Sequence, residues 1–213
     1  MSMNLNNIFS ELTEALDKLD QDREEILKHS RHIIRDCSVA IKHIHRREFN
    51  QYQEKIDNVK VTHEKLVSLV NKNIGVFFKY LKTPEQEYAE AVSFFSIVMK
   101  KDLPMAKELK INPLNYALGL ADVVGELRRY VLDNIRNSQI DDLNDILESM
   151  DEIYTYLFSL DYPSGITQDL RHKTDQARNI IEKTRGDISI SLQMNSLREC
   201  IESNIQDNNT NKK

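Results

Sequence analysis

Four carboxylates stand where acids are costly to place. In Glu87-Tyr88-Ala89-Glu90-Ala91-Val92-Ser93-Phe94, Glu87 shares one helical face with Ala91, Phe94 and Val98, and Glu90 borders that face. Three residues apart, the two glutamates are neighbours on a helix surface. Like charges that close repel, and apolar surroundings make the repulsion worse. In Leu118-Gly119-Leu120-Ala121-Asp122-Val123-Val124-Gly125-Glu126-Leu127-Arg128-Arg129 the arrangement recurs, with Asp122 and Glu126 four apart, Gly119 above them and Arg129 below. A proton, an arginine or a metal cation must compensate each pair. A set built of carboxylates alone suits the hard ions Mg²⁺ and Mn²⁺, which prefer oxygen ligands. Di-iron chemistry in helical bundles uses Glu-x-x-His pairs, and no Glu here is followed by His three positions later. The plainer alternative is a core ion pair, with Arg128 and Arg129 at hand on the same helix. One acidic pair alone reads as structure; two on core-facing surfaces leave both readings open.

The elements that carry these acids are helices. Leu5, Ile8, Leu12, Leu16, Leu19, Ile26, Ser30, Ile33, Cys37, Ala40 and Ile44 follow steps of three and four, with a gap at Arg23, and trace one stripe along a long first helix. A helix that long must pack its stripe on several others or on another subunit. A second helix is predicted from Gln51 to Leu81, with Ile56, Val59, Leu66, Leu69, Val70, Ile74 and Phe77 facing inward. Thr83-Pro84-Glu85-Gln86 reads as a helix start, with Thr83 as N-cap, Pro84 in the first turn and Gln86 completing a capping box. That helix should reach Lys101. Asn112-Pro113 opens the next, apolar on every side from Tyr116 to Val124 and so central and buried. Gly119 and Gly125 inside it each cost roughly 1 kcal/mol relative to Ala, a cost that close approach of another backbone or a ligand would explain. Asp141-Asp142 begin a helix to Leu160, Tyr162-Pro163-Ser164-Gly165 forms a turn, and a last long helix runs from Ile166 to about Leu192. The fold class predicted is all-α, a bundle of six or seven helices with long first and last members.

Composition agrees. Only 5 Gly and 4 Pro occur in 213 residues, too few for the turns of sheets, sandwiches or propellers. No apolar run approaches the roughly 20 residues of a membrane span, and no signal-peptide core opens the chain; a soluble, cytoplasmic protein is the expectation. Cys37 and Cys200 fit no metal or redox spacing. One domain is expected over residues 1–203, followed by a tail of disordered composition over 204–213.

With these residues in view, the chain resembles the translin and translin-associated factor X family. The segments Glu87–Phe94 and Leu118–Arg129 are similar to the acidic motifs of the factor X branch. Leu170-Arg171-His172-Lys173-Thr174-Asp175-Gln176-Ala177-Arg178 and Ile181-Glu182-Lys183-Thr184-Arg185-Gly186-Asp187 resemble its C-terminal helix, especially in single-gene archaeal relatives, and Asp22-Arg23-Glu24-Glu25-Ile26 its opening segment. The resemblance implies seven helices assembling into a hollow homo-oligomer, an octamer, with single-stranded RNA or single-stranded DNA bound inside. It implies a metal-dependent endoribonuclease using Mg²⁺ or Mn²⁺, with Glu87, Glu90, Asp122 and Glu126 as the catalytic set. Translin proper has a basic, His-containing segment in place of Glu87–Phe94 and binds nucleic acid without that site.

On this resemblance Glu90, Asp122 and Glu126 are assigned as metal ligands, and Glu87 as ligand or general base. The rivals are a catalytically silent nucleic-acid-binding shell of the translin type and a plain helical scaffold with salt-bridged acids. A net charge of −5 repels a polyanion unless basic residues are sorted onto the surface that meets it. Candidates are Arg23, Arg31, His32 and Arg35 on the first helix and Arg171, Lys173, Arg178 and Lys183 on the last. Arg31 and Arg35 are one turn apart and Arg171 and Arg178 two, so each set can line a face.

Overall fold

The chain opens and closes on long helices, α1 (Leu5–His45) and α8 (Leu170–Thr210), each of 41 residues. Between them the computed structural model places α2 (Phe49–Lys72), a 3-10 turn (Phe78–Leu81), α3 (Lys82–Val98), α4 (Ala106–Leu109), α5 (Pro113–Arg136), α6 (Leu143–Ser159) and α7 (Ser164–Thr167). The structure describes residues 4–73 and 75–210, the side chains of 206–210 excepted, and no strand occurs among the described residues. Two compact units form, Met1–Phe95 with Pro104–Gly119 and Ser96–Leu103 with Leu120–Lys213. Their borders fall inside α3 and α5, so no linker composition marks the division of the single domain expected over 1–203.

In the first unit α2 folds back on α1 through a turn in which Arg47 takes a φ of 60°. Ile26, Ile33, Cys37, Ala40 and Ile44 of α1 are buried, as are Tyr52, Ile56, Val59, Leu66 and Val70 of α2. The stripe of α1 therefore divides: its second half lies in the core, while Leu5, Ile8, Leu12 and Leu16 stay 47–63% exposed.

Helix α2 stops short of its predicted end at Leu81. Gly75 adopts φ +86°, a conformation open to glycine, and the Asn73 amide donates to Asp22 Oδ2 at 2.9 Å. Apolar periodicity continues across this break, which is why the sequence reads as one helix; Ile74 lies outside the described residues. The 3-10 turn feeds straight into α3 at Lys82, so Thr83 is a first-turn residue and not an N-cap. That helix ends at Val98, before Lys101.

Helix α5 begins at Pro113 as predicted, and Asn112 Oδ1 accepts the Leu114 N–H at 2.9 Å in the manner of a cap. Of its two glycines only Gly119 marks a close approach. A Cβ there would stand 2.5 Å from the Gln86 carbonyl oxygen and 2.7 Å from Ala89 Cβ, whereas one at Gly125 meets nothing within 4 Å. Gly119→Ala is expected to lower the melting temperature, since overpacking against backbone costs about 1–3 kcal/mol. Gly125→Ala is expected to raise it through helix propensity, by up to about 1 kcal/mol. Thermal unfolding of the two variants side by side checks the contrast, and equal shifts would mean that Gly119 does not set the α3–α5 distance.

In the second unit α6 packs on α8, with Arg185 bonded to both carboxylate oxygens of Asp151 at 2.8 and 2.9 Å. Lys100 bonds Asp142 and Asp145 at the start of α6, each at 2.8 Å. The last helix is interrupted where the sequence predicts continuity from Ile166: Gln168 takes φ 51°, separating the single turn of α7 from α8. Helix α8 runs past Leu192 and stays helical through the expected tail to Thr210, with Arg198–Glu202 and Asn195–Glu199 pairs one turn apart along it. Asn211–Lys213 lie outside the described residues. Counting the short α4 and α7, eight α-helices are present among the described residues, against six or seven predicted; four-residue helices carry too little periodicity to register.

Candidate metal and nucleic-acid site

Helix α3 presents Glu87 and Glu90 between buried neighbours. Tyr88, Ala89, Ala91 and Phe94 are at most 3% exposed, while both glutamates keep partial access to water. Across from them Cys37 of α1 is buried, and its thiol is pushed well up, first by that burial and then by the charges of Glu87, Glu90 and Asp36. The paired negative charge inferred from spacing is thus felt in the core of the first unit. Gly119 brings α5 against the same turn of α3, where its absent Cβ would lie 3.1 Å from the Glu90 backbone nitrogen.

Further along α5, Asp122 and Glu126 belong to the second unit, and each has a cation at hand. Lys173 of α8 donates its ammonium to Asp122 Oδ1, with side-chain exposures of 21% and 28%. Arg129 stands 3.8 Å from Glu126 Oε2, one turn away on the same helix. Arg128, the other candidate neutraliser, turns to α8 instead, donating to Thr184 Oγ1 at 3.0 Å and pairing with Asp187 at 2.9 Å. Lys173, expected from the sequence to meet nucleic acid, is thus engaged with an acid.

The remaining basic candidates divide between free faces and ion pairs. Arg31, His32 and Arg35 are exposed along α1, and Arg178 and Lys183 along α8. Arg171 is exposed but bonded to Asp161 at 2.9 Å. Arg23 fills the gap in the α1 stripe by lying on its neighbours: Nε donates to the Tyr80 hydroxyl at 3.3 Å, and the guanidinium reaches Glu24 at 2.7 Å and Asp20 at 3.7 Å.

One buried acid escaped the sequence reading. Glu85 is 2% exposed; its carboxylate accepts the Asn112 N–H at 2.9 Å and the Asn115 amide at 2.8 Å, and lies 3.2 Å from His63 Nε2. Tying α2, α3 and the start of α5 together, it satisfies polar groups that would otherwise be costly to bury. Its signal was available, since Glu85 shares a helical face with Tyr88 and Val92 as Glu87 does with Ala91 and Phe94.

Among the described residues no three His, Cys, Asp or Glu side chains are grouped so as to hold a metal ion. Carboxylate oxygens are the donors a hard cation such as Mg²⁺ takes, but here Asp122 is already paired with Lys173 and Glu126 stands 3.8 Å from Arg129.

Paired acids on α3 and α5 within an all-helical chain define a class that comparison with known proteins makes specific. Residues 21–185 match the Translin family, and the chain belongs to it. An uncharacterized protein of Methanocaldococcus jannaschii is 41% identical over 182 residues, covering 84% of this chain and 81% of that one. Translin-associated protein X of Rattus norvegicus is 24% identical over 190 residues, covering 68% of this chain and 64% of that one. Among solved structures, AfC3PO in complex with duplex RNA superposes with a TM-score of 0.79 at 26% identity, covering 87% of this chain and 97% of that one. No described helix is long and apolar enough to cross a membrane.

Proposed function

We propose that this protein is a metal-dependent endoribonuclease that binds RNA inside a homo-oligomeric shell, an octamer, in the cytoplasm. The observation that carries the reading is the pair of acidic pairs, Glu87 with Glu90 and Asp122 with Glu126, on two helices of a Translin-family chain. The relative AfC3PO, solved with duplex RNA, supports RNA as the ligand. Since that RNA is a duplex, single strands and duplexes both belong in the test, with single-stranded DNA as a further ligand.

In this reading Glu90, Asp122 and Glu126 would hold Mg²⁺ or Mn²⁺. When bound, such an ion lowers the pKa of a water and relieves the charge that builds on the phosphate. Glu87 would accept the proton of the attacking water or add a further oxygen ligand; as the new P–O bond forms, the P–O bond to the ribose breaks and the leaving oxygen takes up a proton from solvent. Arg31, Arg35 and Arg178, exposed on α1 and α8, draw the phosphate backbone toward the protein.

The test is cleavage of labelled RNA by the assembled protein with Mg²⁺ or Mn²⁺, run beside binding. Cutting is expected with either ion and is expected to stop on adding EDTA. Binding without cutting supports the silent translin-type shell in its place, and the absence of both supports a scaffold. Activity that persists through chelation removes the metal from the reading.

A further inference from the structure

We propose that Lys28, Arg31, Arg35, Lys42 and Arg46 form one phosphate-backbone track for RNA along α1, set apart from the acids of α3. This rests on the RNA reading above, which uses Arg31 and Arg35 from this helix, and adds to it Lys28, Lys42, Arg46 and the separation from the acids. All five side chains are exposed, the last on the residue that caps α1. At about 100° per residue they fall in a strip roughly 60° wide, and the strip runs for about 27 Å along the helix.

Charge distinguishes this row from an ordinary solvated face. Lys100, Lys110 and Arg185 each hold an acid, whereas none of the five makes an ion pair among the described residues. The acids that border the row have partners of their own. Glu24 is held by Arg23 at 2.7 Å, Asp36 stands 3.7 Å from Lys55 of α2, and Glu25 and Glu48 lie against His29 and His43. In a chain of net charge −5, five uncompensated cations are thus left in line, and a polyanion laid along them relieves their mutual repulsion. A nucleic-acid duplex offers a phosphate about every 3.4 Å along each strand, and contact with it releases counterions. A helix that lies on a membrane needs an exposed apolar face beside its charges. Here the face opposite the row, with Ile26, Ile33, Cys37 and Ile44, is buried in the core.

Position on the helix separates the row from the acids. The charges of Glu87 and Glu90 are felt at Cys37, which points roughly opposite to Arg35 and Lys42. An α-helix with its side chains is about 10–12 Å across, so a phosphate on the row lies on the far side of α1 from those acids. One segment of backbone cannot occupy both within the same subunit. The track therefore holds a part of the strand remote from the bond to be cut, and its binding energy is common to ground state and transition state.

The experiment titrates a labelled, unstructured RNA with the assembled full-length protein in EDTA, by fluorescence anisotropy at several salt concentrations. Lys42→Gln combined with Arg46→Gln is expected to bind about three- to tenfold more weakly at low salt, the scale of two exposed charge contacts. The slope of log affinity against log salt should flatten by about 1.4. Lys60→Gln combined with Lys107→Gln removes two exposed lysines away from the row and is expected to leave the slope as it is. Lys42→Arg combined with Arg46→Lys, which keeps both charges, should bind like the parent. With Mg²⁺ added, cleavage by the neutralised variant should fall at limiting RNA and recover at saturating RNA, a rise in KM without a loss of kcat.

A parent that binds no RNA overturns the RNA reading and this proposal with it. Binding that depends on the row in a protein that does not cut supports the track and removes only the nuclease. A neutralised variant whose affinity and slope match the parent's, or whose losses are equalled by the Lys60 and Lys107 pair, overturns this proposal alone. So does a neutralised variant that elutes as a smaller species, which would make this face a subunit contact, or a parent that binds phosphatidylserine vesicles in preference to RNA.

Discussion

Cleavage is expected to fall by on the order of 10²–10³-fold in Asp122→Asn and in Glu126→Gln, the scale set by losing one preorganised electrostatic stabiliser, while RNA binding persists. Each substitution removes a charge and keeps the side chain's size, so packing along α5 is preserved. The alternative is that Asp122 is only half of a structural pair with Lys173. A pair that keeps about a quarter of its surface in water contributes about 1 kcal/mol or less, so that alternative predicts a small loss of stability and unchanged cleavage per folded molecule. Thermal unfolding beside the rate distinguishes them. Arg31→Ala combined with Arg35→Ala is expected to do the reverse. Each phosphate contact on a single strand contributes about 0.7 to the slope of log affinity against log salt. Removing two should flatten that slope by about 1.4 and weaken binding, with assembly unchanged on a sizing column. Arg23→Ala is a less clean probe, because Arg23 is tied to Tyr80, Glu24 and Asp20 and its loss disturbs the α1 surface as well. Full-rate cleavage by Asp122→Asn would make the α5 pair structural.

How much of this was legible follows from which forces dominate locally. Helix α1 and the buried centre of α5 were read closely because a stripe repeated over many turns overwhelms any single residue. Gly119 was read correctly for the same reason that it is tolerated: within a helix, a glycine needs a cause, and here the cause is the backbone of α3. Gly125 carries the same sequence signal without that cause. Breaks fared worse. The end of α2 depends on one backbone angle at Gly75 and the bond from Asn73 to Asp22, and the break before α8 on one angle at Gln168; no periodicity encodes either. At the site, the acids showed themselves by lying next to apolar residues, but their partners did not. Lys173 lies 51 residues from Asp122 along the chain, and spacing within one helix says nothing about a cation supplied by another. Arg128 and Arg129 were equal candidates on α5, and only the packing of α8 directs Arg128 to Thr184 and Asp187.

Leu12→Glu with Leu16→Glu is expected to break the protein into smaller species without unfolding it. The N-terminal half of α1 exposes Leu5, Ile8, Phe9, Leu12 and Leu16, and the C-terminal half of α8 exposes Ile190, Met194, Leu197, Ile201 and Ile205, each 47–63% accessible. Both series advance by helical steps, so each forms a continuous apolar stripe and not scattered surface residues. Helices α1 and α8 have their buried residues at Ile26–Ile44 and Leu170–Ile188, so these halves contribute little to the core of a single chain. A helix of 41 residues whose first turns had only water to face would lose its apolar surface to no advantage. Leu12 and Leu16 are 50% and 63% exposed, so covering what remains of each on association is worth about 0.8–1.8 kcal/mol. Losing two should therefore weaken assembly by about 10–10³-fold, before counting the charge placed in the interface. Light scattering should then return a mass well below the parent's, and circular dichroism a helix content close to it. The parent itself is expected to scatter as a multiple of 24.9 kDa. A parent that scatters as a stable monomer would contradict the shell, and a double variant that assembles like the parent would place the subunit contacts elsewhere than on this half of α1.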